Sequence, residues 1–223
     1  RANIRSTIQA DRNANDGISM IQTAEGGLNE VQNILTRLRE LSIQAASDTV
    51  GDTERNFTNM EYQQLKTELE RIAQVTEFNG TKLLDGSGDI YDFQIGIHND
   101  DFKDRIKFDA AVTNARISNL GIDELGVDSK EGAQNAIASV DNAIEQVSGF
   151  RANLGAIQNR LISVSQNLQV SNENLQAANS RIRDVDYALE TATNSRNQIL
   201  NQAGVAVLAQ ANVNGQNALK LIG

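Results

Sequence analysis

Every seventh residue along the second half of the chain is large and apolar: Val140, Val147, Leu154, Leu161, Leu168, Leu175, Ile182 and Leu189. The interleaved positions 136, 143, 150, 157, 164, 171, 178, 185 and 192 are apolar too, except Ser171. A 3.5-residue repeat of this kind places the side chains on one stripe of a helix that wraps around a neighbouring helix. A helix over 136–192 would be roughly 85 Å long. The pattern predicts an elongated element whose function lies in assembly rather than catalysis.

A second apolar stripe of the same kind lies near the start of the chain. We call each of these two heptad stripes a seam. Ile21, Leu28 and Leu35 are seven residues apart, and apolar residues alternate with them at 24, 31, 38 and 45. The spacing predicts a helix from about 17 to 47, continuous with the polar segment 1–15. Gly26 and Gly27 each cost such a helix roughly 1 kcal/mol relative to alanine. Packing must therefore offset that cost, or a neighbour must approach the helix closely there.

The middle of the chain changes period. A second helix carries Tyr62, Leu65, Leu69, Ile72 and Val75 at three- and four-residue steps and is followed by the turn sequence FNG at 78–80. Alternating apolar residues at 93–97 and 106–108 then predict a β-hairpin within a β region of about 81–127. The long helix is expected to begin near Ser129. The predicted fold class is mainly α: an elongated antiparallel helical bundle with long coiled-coil-like helices and a small β-hairpin region.

Composition excludes several function classes. The net charge of −9 argues against nucleic-acid binding. The single histidine, His98, lies near three aspartates, but the spacing fits neither a zinc site nor a calcium loop, so a solvated hairpin tip is expected. No glycine-rich phosphate loop and no nucleophile with a plausible base are present. We therefore expect no enzyme activity, no cofactor and no metal.

The C-terminal segment differs from both seams. Beyond Ala192 the heptad register fails, and apolar residues lie around most of the helix circumference. Such a helix is buried or lies in a membrane, and the interspersed Asn and Gln residues argue against membrane insertion. Burial against other protein is expected, and the residues predicted to mediate polymerisation are Ile199, Leu200, Val207, Leu208, Leu219 and Leu221.

Several motifs, in the same order along nearly the whole chain, resemble bacterial flagellin. They are NANDGIS at 13–19, QTAEG at 22–26, RLREL at 37–41, FNGTKLL at 78–84, LGAIQNRL at 154–161, ENLQAANSRI at 173–182, QILNQAG at 198–204 and AQAN at 209–212. The resemblance implies a structural subunit of the extracellular flagellar filament, exported through the flagellar secretion channel, that polymerises with its own copies for swimming. It also implies an export chaperone bound to the C-terminal tail.

The resemblance also implies a domain organisation. In the family, paired terminal helices form an inner tube, D0, and a helical bundle with a β-hairpin surrounds it as D1. We expect residues 1–183 to form a D1-like bundle and 184–223 the C-terminal half of D0. The chain starts at Arg1 rather than Met, so the N-terminal arm of D0 is expected to be missing. The variable outer domains are expected to be absent, since the β region is short.

One surface has two interpretations. Flagellins bind a Toll-like receptor of the host through an Arg and a Leu of the first D1 helix and a Glu of the second, and motif alignment puts these at Arg37, Leu41 and Glu61. The simpler interpretation is a solvated helix face with an ion pair between Arg37 and Glu40. The same surface is also expected to make subunit contacts.

Two other protein classes stay open at this point. A flagellar hook-associated junction protein shares these terminal sequences but usually carries different middle motifs. An unrelated coiled-coil sensor or adhesin stalk would form a parallel dimer in solution.

Overall fold

The computed structural model describes residues 1–183 and 187–222, without the side chains of 212, 214 and 216–222. The elements in chain order are α1 (Ala2–Ala45), α2 (Asp52–Val75), β1 (Glu77–Phe78), β2 (Thr81–Lys82), β3 (Ile90–Gln94), β4 (Arg105–Asp109), α3 (Lys130–Arg183) and α4 (Tyr187–Ile222). The chain divides into two compact units, Arg1–Asn174 and Leu175–Gly223. The boundary expected near 183 was drawn from the family pattern and stays a prediction.

In the first unit, α2 and α3 both run antiparallel to α1. Arg37 of α1 pairs with Glu61 of α2, while Arg55 near the start of α2 reaches the carbonyl of Ala45 at the end of α1. Towards α3, Arg39 pairs with Asp141 and Asp11 accepts a hydrogen bond from the Ser165 hydroxyl. The predicted antiparallel helical bundle is therefore confirmed, with α1 antiparallel to both of its helical neighbours.

Both seams supply the core of this unit. The predicted α1 residues Ile21, Ala24, Leu28, Val31, Leu35, Leu38 and Ala45 are all fully buried, and they pack with Ala136, Val140, Ala143, Val147, Leu154 and Leu161 of α3. Burying a Leu, Ile or Val side chain stabilises a fold by about 1.5–3 kcal/mol. The heptad pattern thus identified the residues that hold α1 against α3.

The α3 seam is buried in its first half only. Ser165 already lies beside Asp11, about three turns from the start of α1. Further along, Ile182 is 87% exposed, and Leu189 in α4 is 68% exposed, so the expectation of a packed seam as far as 192 is wrong at these positions. The structure has α3 ending at Arg183 and α4 beginning at Tyr187. The seam position Val185 lies outside the described residues, and a single helix across it stays a prediction.

Two short antiparallel hairpins pack beside α1. The first joins β1 and β2 through Asn79 and Gly80, which both have positive φ (50° and 79°), as a two-residue type I′ turn requires. The second pairs β3 with β4 in the register Ile90↔Asp109 to Gln94↔Arg105, as expected for the central hairpin. A Cβ on Gly27 would meet Leu84 Cδ1 and Thr76 Oγ1 at 2.7 Å, whereas Gly26 has open space. The close approach of neighbouring side chains therefore explains the glycine at position 27 but not the one at position 26.

The connector between β4 and α3 lies along α2 and is held by hydrogen bonds to its backbone. Lys66 is 5% exposed, and its ammonium group donates to the carbonyls of Asp123 (2.5 Å) and Leu125 (2.8 Å). Burial lowers the pKa of Lys66, and the nearby Asp123 opposes that change. Glu70 accepts from the backbone N–H of Ile117 at 3.1 Å. Polar side chains of α2 therefore fix the path of the connector.

Candidate functional site

Arg37 on α1 forms ion pairs with two carboxylates at the surface. Its Nη1 donates to Glu40 Oε2 at 2.9 Å, and both Nε and Nη2 lie 2.9 Å from Glu61 Oε1 on α2. The hydrogen bond with Glu40, followed by that with Glu61, raises the pKa of Arg37. The structure thus confirms the expected Arg37–Glu40 pair and brings together Arg37 and Glu61, which lie 24 residues apart in sequence.

The α1–α2 connection that positions this group depends on Arg55. Its guanidinium is buried (8% of the side chain is exposed) and donates to the carbonyls of Ala45 (2.9 Å), Ser47 (3.3 Å) and Val50 (3.0 Å), and to Asp52 (2.8 Å). The last carbonyls of a helix lack partners within the helix. Arg55 supplies such a partner at the end of α1 and fixes the turn into α2, and with it the register that sets Glu61 opposite Arg37.

Leu41 does not lie on the exposed face with Arg37. Its side chain is 2% exposed and belongs to the hydrophobic core. The expectation of an apolar neighbour available to a partner at this position is therefore corrected. Leu41 lies one turn beyond the seam residue Leu38, on the side of α1 that faces inward, and it has almost no surface to offer. Its burial in the core helps to hold α1 in place beneath Arg37.

The apolar surface near Glu61 comes instead from two residues that the sequence analysis did not single out. Phe57 and Met60 on α2 are 66% and 67% exposed. Phe57 lies one turn before Glu61, so the two side chains share a helix face. Both lie off the buried stripe of α2, which includes Thr58, Tyr62 and Leu69. An aromatic residue outside the buried stripe of an amphipathic helix was the signal that could have revealed this surface.

The predicted polymerisation residues of α4 are exposed wherever the structure describes them. The exposed fractions are 65% for Ile199, 63% for Leu200, 67% for Val207 and 66% for Leu208. Leu219 and Leu221 lie outside the residues whose side chains are described. Val205 at 67% joins this set. The helix therefore presents apolar side chains on several faces at once, as its sequence pattern indicated.

The remaining polar clusters have structural roles. His98 is exposed, and its carbonyl accepts a hydrogen bond from Gln94 at the hairpin tip. In the described ranges, no group of three or more His, Asp or Glu side chains could hold a metal ion. Nor does any described helix combine the length and apolar character needed to cross a membrane.

Models of known protein families match most of the chain. Residues 1–89 match the family model described as the bacterial flagellin N-terminal helical region, and residues 137–222 match the bacterial flagellin C-terminal helical region. A flagellin of Halalkalibacterium halodurans is 44% identical over 222 residues, which cover 100% of this chain and 80% of that protein.

The chain belongs to the bacterial flagellin family.

Other relatives agree with membership in this family of structural proteins. The flagellar filament 30.7 kDa core protein of Treponema maltophilum is 41% identical over 234 residues, which cover 100% of this chain and 81% of that protein. The crystal structure of Bacillus cereus flagellin matches with a TM-score of 0.63 at 31% identity, covering 75% of this chain and 94% of that chain. Family membership excludes the unrelated stalk or sensor.

A putative flagellar hook-associated protein from Vibrio parahaemolyticus has a similar structure, with a TM-score of 0.66 over 80% of this chain and 92% of that chain. The identity is 13%, which shows a shared fold alone. The sequence relatives therefore favour flagellin over the hook-associated alternative.

Proposed function

We propose that this flagellin is a subunit of the bacterial flagellar filament, that it is exported and polymerises with its own copies outside the cell, and that the filament serves swimming. The observation that carries the proposal is the 41% identity, over the whole chain, to a protein named as a flagellar filament core protein. The apolar surface of α4 supports it, because a soluble chain gains by covering such a surface with protein.

The energy available from α4 is considerable. Leu200, Val207 and Leu208 each keep more than three-fifths of their side-chain area exposed. Burying a Leu or Val side chain that starts exposed contributes about 1.5–3 kcal/mol. Contact between neighbouring α4 helices would recover much of this energy for each subunit added, and we infer that this drives growth of the polymer.

The test replaces apolar side chains of α4 by charged ones of good helix propensity. We expect Leu200→Glu and Leu208→Glu to abolish filament formation by the full-length protein, because a buried carboxylate without a partner is costly. Gln202→Glu and Gln210→Glu are matched controls on the same exposed helix, and they add the same charge while leaving the apolar surface intact. Electron microscopy and sedimentation measure the polymer. Normal filaments from both leucine variants would contradict the proposal.

An export chaperone is the second partner. The surface that drives polymerisation is also exposed before assembly, and a chaperone bound to the C-terminal tail would cover it during export. We expect Leu200→Glu and Leu208→Glu to weaken chaperone binding, measured by calorimetry, while Gln202→Glu leaves it unchanged. Equal affinity for all three variants would place the chaperone elsewhere on the chain.

We further propose that the Arg37–Glu61 surface is recognised by the Toll-like receptor that senses flagellin. Arg37 and Glu61 keep 48% and 47% of their side chains exposed, and Phe57 and Met60 supply apolar area nearby. Arginine combined with aromatic residues is typical of binding hot spots. The two carboxylates hold the guanidinium in one orientation, which reduces the entropy lost on binding.

Arg37→Ala tests this role, with Arg39→Ala as the matched control. Arg39 is exposed to a similar extent (44%) and is also paired, but with Asp141 of α3 rather than with α2. We expect Arg37→Ala to lower receptor activation by monomers about tenfold or more, which corresponds to about 1.4 kcal/mol, and Arg39→Ala to change it far less. Circular dichroism should show intact helices in both variants. If Arg37→Ala left signalling unchanged, the proposed receptor recognition would be contradicted, and subunit contacts would be the only role still proposed for this surface.

A further inference from the structure

The turn between β1 and β2 consists of an asparagine followed by a glycine. An asparagine side chain in this setting is open to attack by the next backbone nitrogen, since glycine has no Cβ to hinder the approach. Asn79 and Gly80 are both exposed. Within the described ranges, the Asn79 carboxamide makes no hydrogen bond, and the Gly80 N–H donates to no carbonyl. Both groups that would react are therefore free of competing contacts.

The same dipeptide occurs once more, at 214–215, but in a different backbone setting. There it belongs to α4, and in a helix each N–H donates to the carbonyl four residues before it. At 79–80 the strands on either side of the turn are only two residues long, and a Cβ on Gly80 would meet nothing within 4 Å. A hairpin with so few contacts opens at a low free energy. The turn therefore has the freedom to bring the backbone nitrogen to the side chain.

We propose that Asn79 is a site of spontaneous deamidation, with water as the only other reactant. The Gly80 nitrogen loses its proton and bonds to Cγ of Asn79, the Cγ–Nδ2 bond breaks, and the side-chain nitrogen leaves as ammonia. Water then opens the cyclic imide at either of its C–N bonds. Opening at Cγ gives aspartate, and opening at the main-chain carbonyl carbon gives isoaspartate, whose backbone runs through the former side chain. The reaction does not require polymerisation.

The two products fit the turn differently. Asn79 has a φ of 50°, and aspartate tolerates this left-handed conformation as asparagine does. Isoaspartate adds a carbon atom to the main chain, so a two-residue turn can no longer join β1 and β2 in their present register. Thr76 and Leu84, on either side of the hairpin, are the residues that lie close to Gly27 of α1. Formation of isoaspartate is therefore expected to loosen the packing of this hairpin against α1.

Peptide mapping of the full-length protein tests the site. Trypsin cleaves after Arg71 and Lys82 and releases 72–82 as one peptide, in which Asn79 is the only asparagine. After incubation in a mildly alkaline buffer, mass spectrometry with fragmentation that separates aspartate from isoaspartate measures both products, and a zero-time sample corrects for the digestion. We expect Asn79 to react about tenfold or more faster than Asn56, which is exposed on α2 but is followed by the bulky Phe57.

Asn79→Gly is the matched control, because two glycines also fit a type I′ turn and no imide can form. The urea midpoint of the wild-type protein should fall as isoaspartate accumulates, while that of Asn79→Gly protein incubated in parallel should not. The synthetic 72–82 peptide is the reference for an open turn. If Asn79 reacted in that peptide but stayed intact in the folded protein, the turn would protect the amide and the proposed site would be wrong. An unchanged urea midpoint after isoaspartate has accumulated would contradict its effect on the hairpin.

Discussion

Tyr62 is a buried residue whose hydroxyl group we expect to destabilise the fold. The side chain is fully buried, and among the described residues its hydroxyl has no hydrogen-bond partner with good geometry. The Ser42 hydroxyl beside it donates to the carbonyl of Leu38 at 2.8 Å instead. Burying a polar group without a partner costs about 1–3 kcal/mol. Tyr62→Phe removes that cost and leaves the ring in place, so we expect the free energy of unfolding to rise by about 1 kcal/mol or more near neutral pH.

The difference between wild type and Tyr62→Phe should grow at alkaline pH. Burial raises the pKa of Tyr62 from 10.0 to about 12, and the neighbouring Ser42 offsets only part of this change. Because the folded pKa exceeds the unfolded one, the unfolded state loses its proton first, and stability falls as pH rises from about 10 to 12. Linkage with these two values gives a loss of about 1.4 kcal/mol at pH 11 and almost none at pH 8. The phenylalanine variant cannot lose stability in this way.

The assay is urea unfolding followed by circular dichroism at pH 8 and pH 11 on monomeric protein. Other groups that titrate in this range contribute equally to both proteins and cancel in the difference. Tyr91→Phe serves as the control, because Tyr91 is half-buried and its change should fall within about 0.5 kcal/mol at pH 8. A Tyr62→Phe protein that is less stable than wild type at pH 8, or a difference that does not widen at pH 11, would refute the reasoning.

Three other outcomes are expected. Gly26→Ala should raise the unfolding free energy by about 0.5–1 kcal/mol through helix propensity, while Gly27→Ala should lower it by about 1–2 kcal/mol because its Cβ would overlap Leu84 and Thr76; equal thermal shifts would contradict this contrast. Arg55→Lys should cost about 2 kcal/mol or more in urea unfolding, because an ammonium group cannot reach all the carbonyls that the guanidinium binds; an unchanged midpoint would contradict it. In monomers, amide hydrogen exchange should be faster at 199–211 than at 140–161, because the side chains of the first segment lack buried contacts; equal protection would show that α4 is covered.

The helical fold was predictable because its signals are periodic. A heptad seam marks the buried face of a helix independently of what the partner is, and Leu28, Leu35, Val147 and Leu154 are all fully buried. The seam cannot reveal where the partner ends. That is why Ile182, which continues the pattern of buried residues, is 87% exposed. Periodicity reports the capacity of a residue to pack, and the neighbouring element determines whether it does.

The surface groups were predictable in part. Arg37 and Glu61 were brought together by family resemblance, since no local pattern links residues on different helices. Leu41 was assigned to the same surface by the same resemblance, and it lies one turn from Arg37, yet a rotation of a few tens of degrees around the helix is enough to turn a side chain inward. Phe102, in the turn between β3 and β4, is 89% exposed and was missed for a different reason. It occurs in a turn, where no periodicity distinguishes an exposed side chain from a buried one.

The connector docks on α2 mainly through its own backbone atoms, which are bound by side chains of α2. Lys66 and Glu70 bind peptide carbonyl and N–H groups of residues 117–125, which every amino acid except proline provides alike. A requirement for particular connector side chains comes from Arg116, which pairs with Glu70, and from the buried residues Ala110, Thr113, Ala115, Leu120, Ile122 and Val127. Evolutionary change should therefore be unevenly distributed across this contact: most connector positions can drift freely, whereas substitutions at Lys66 and Glu70 would release the segment.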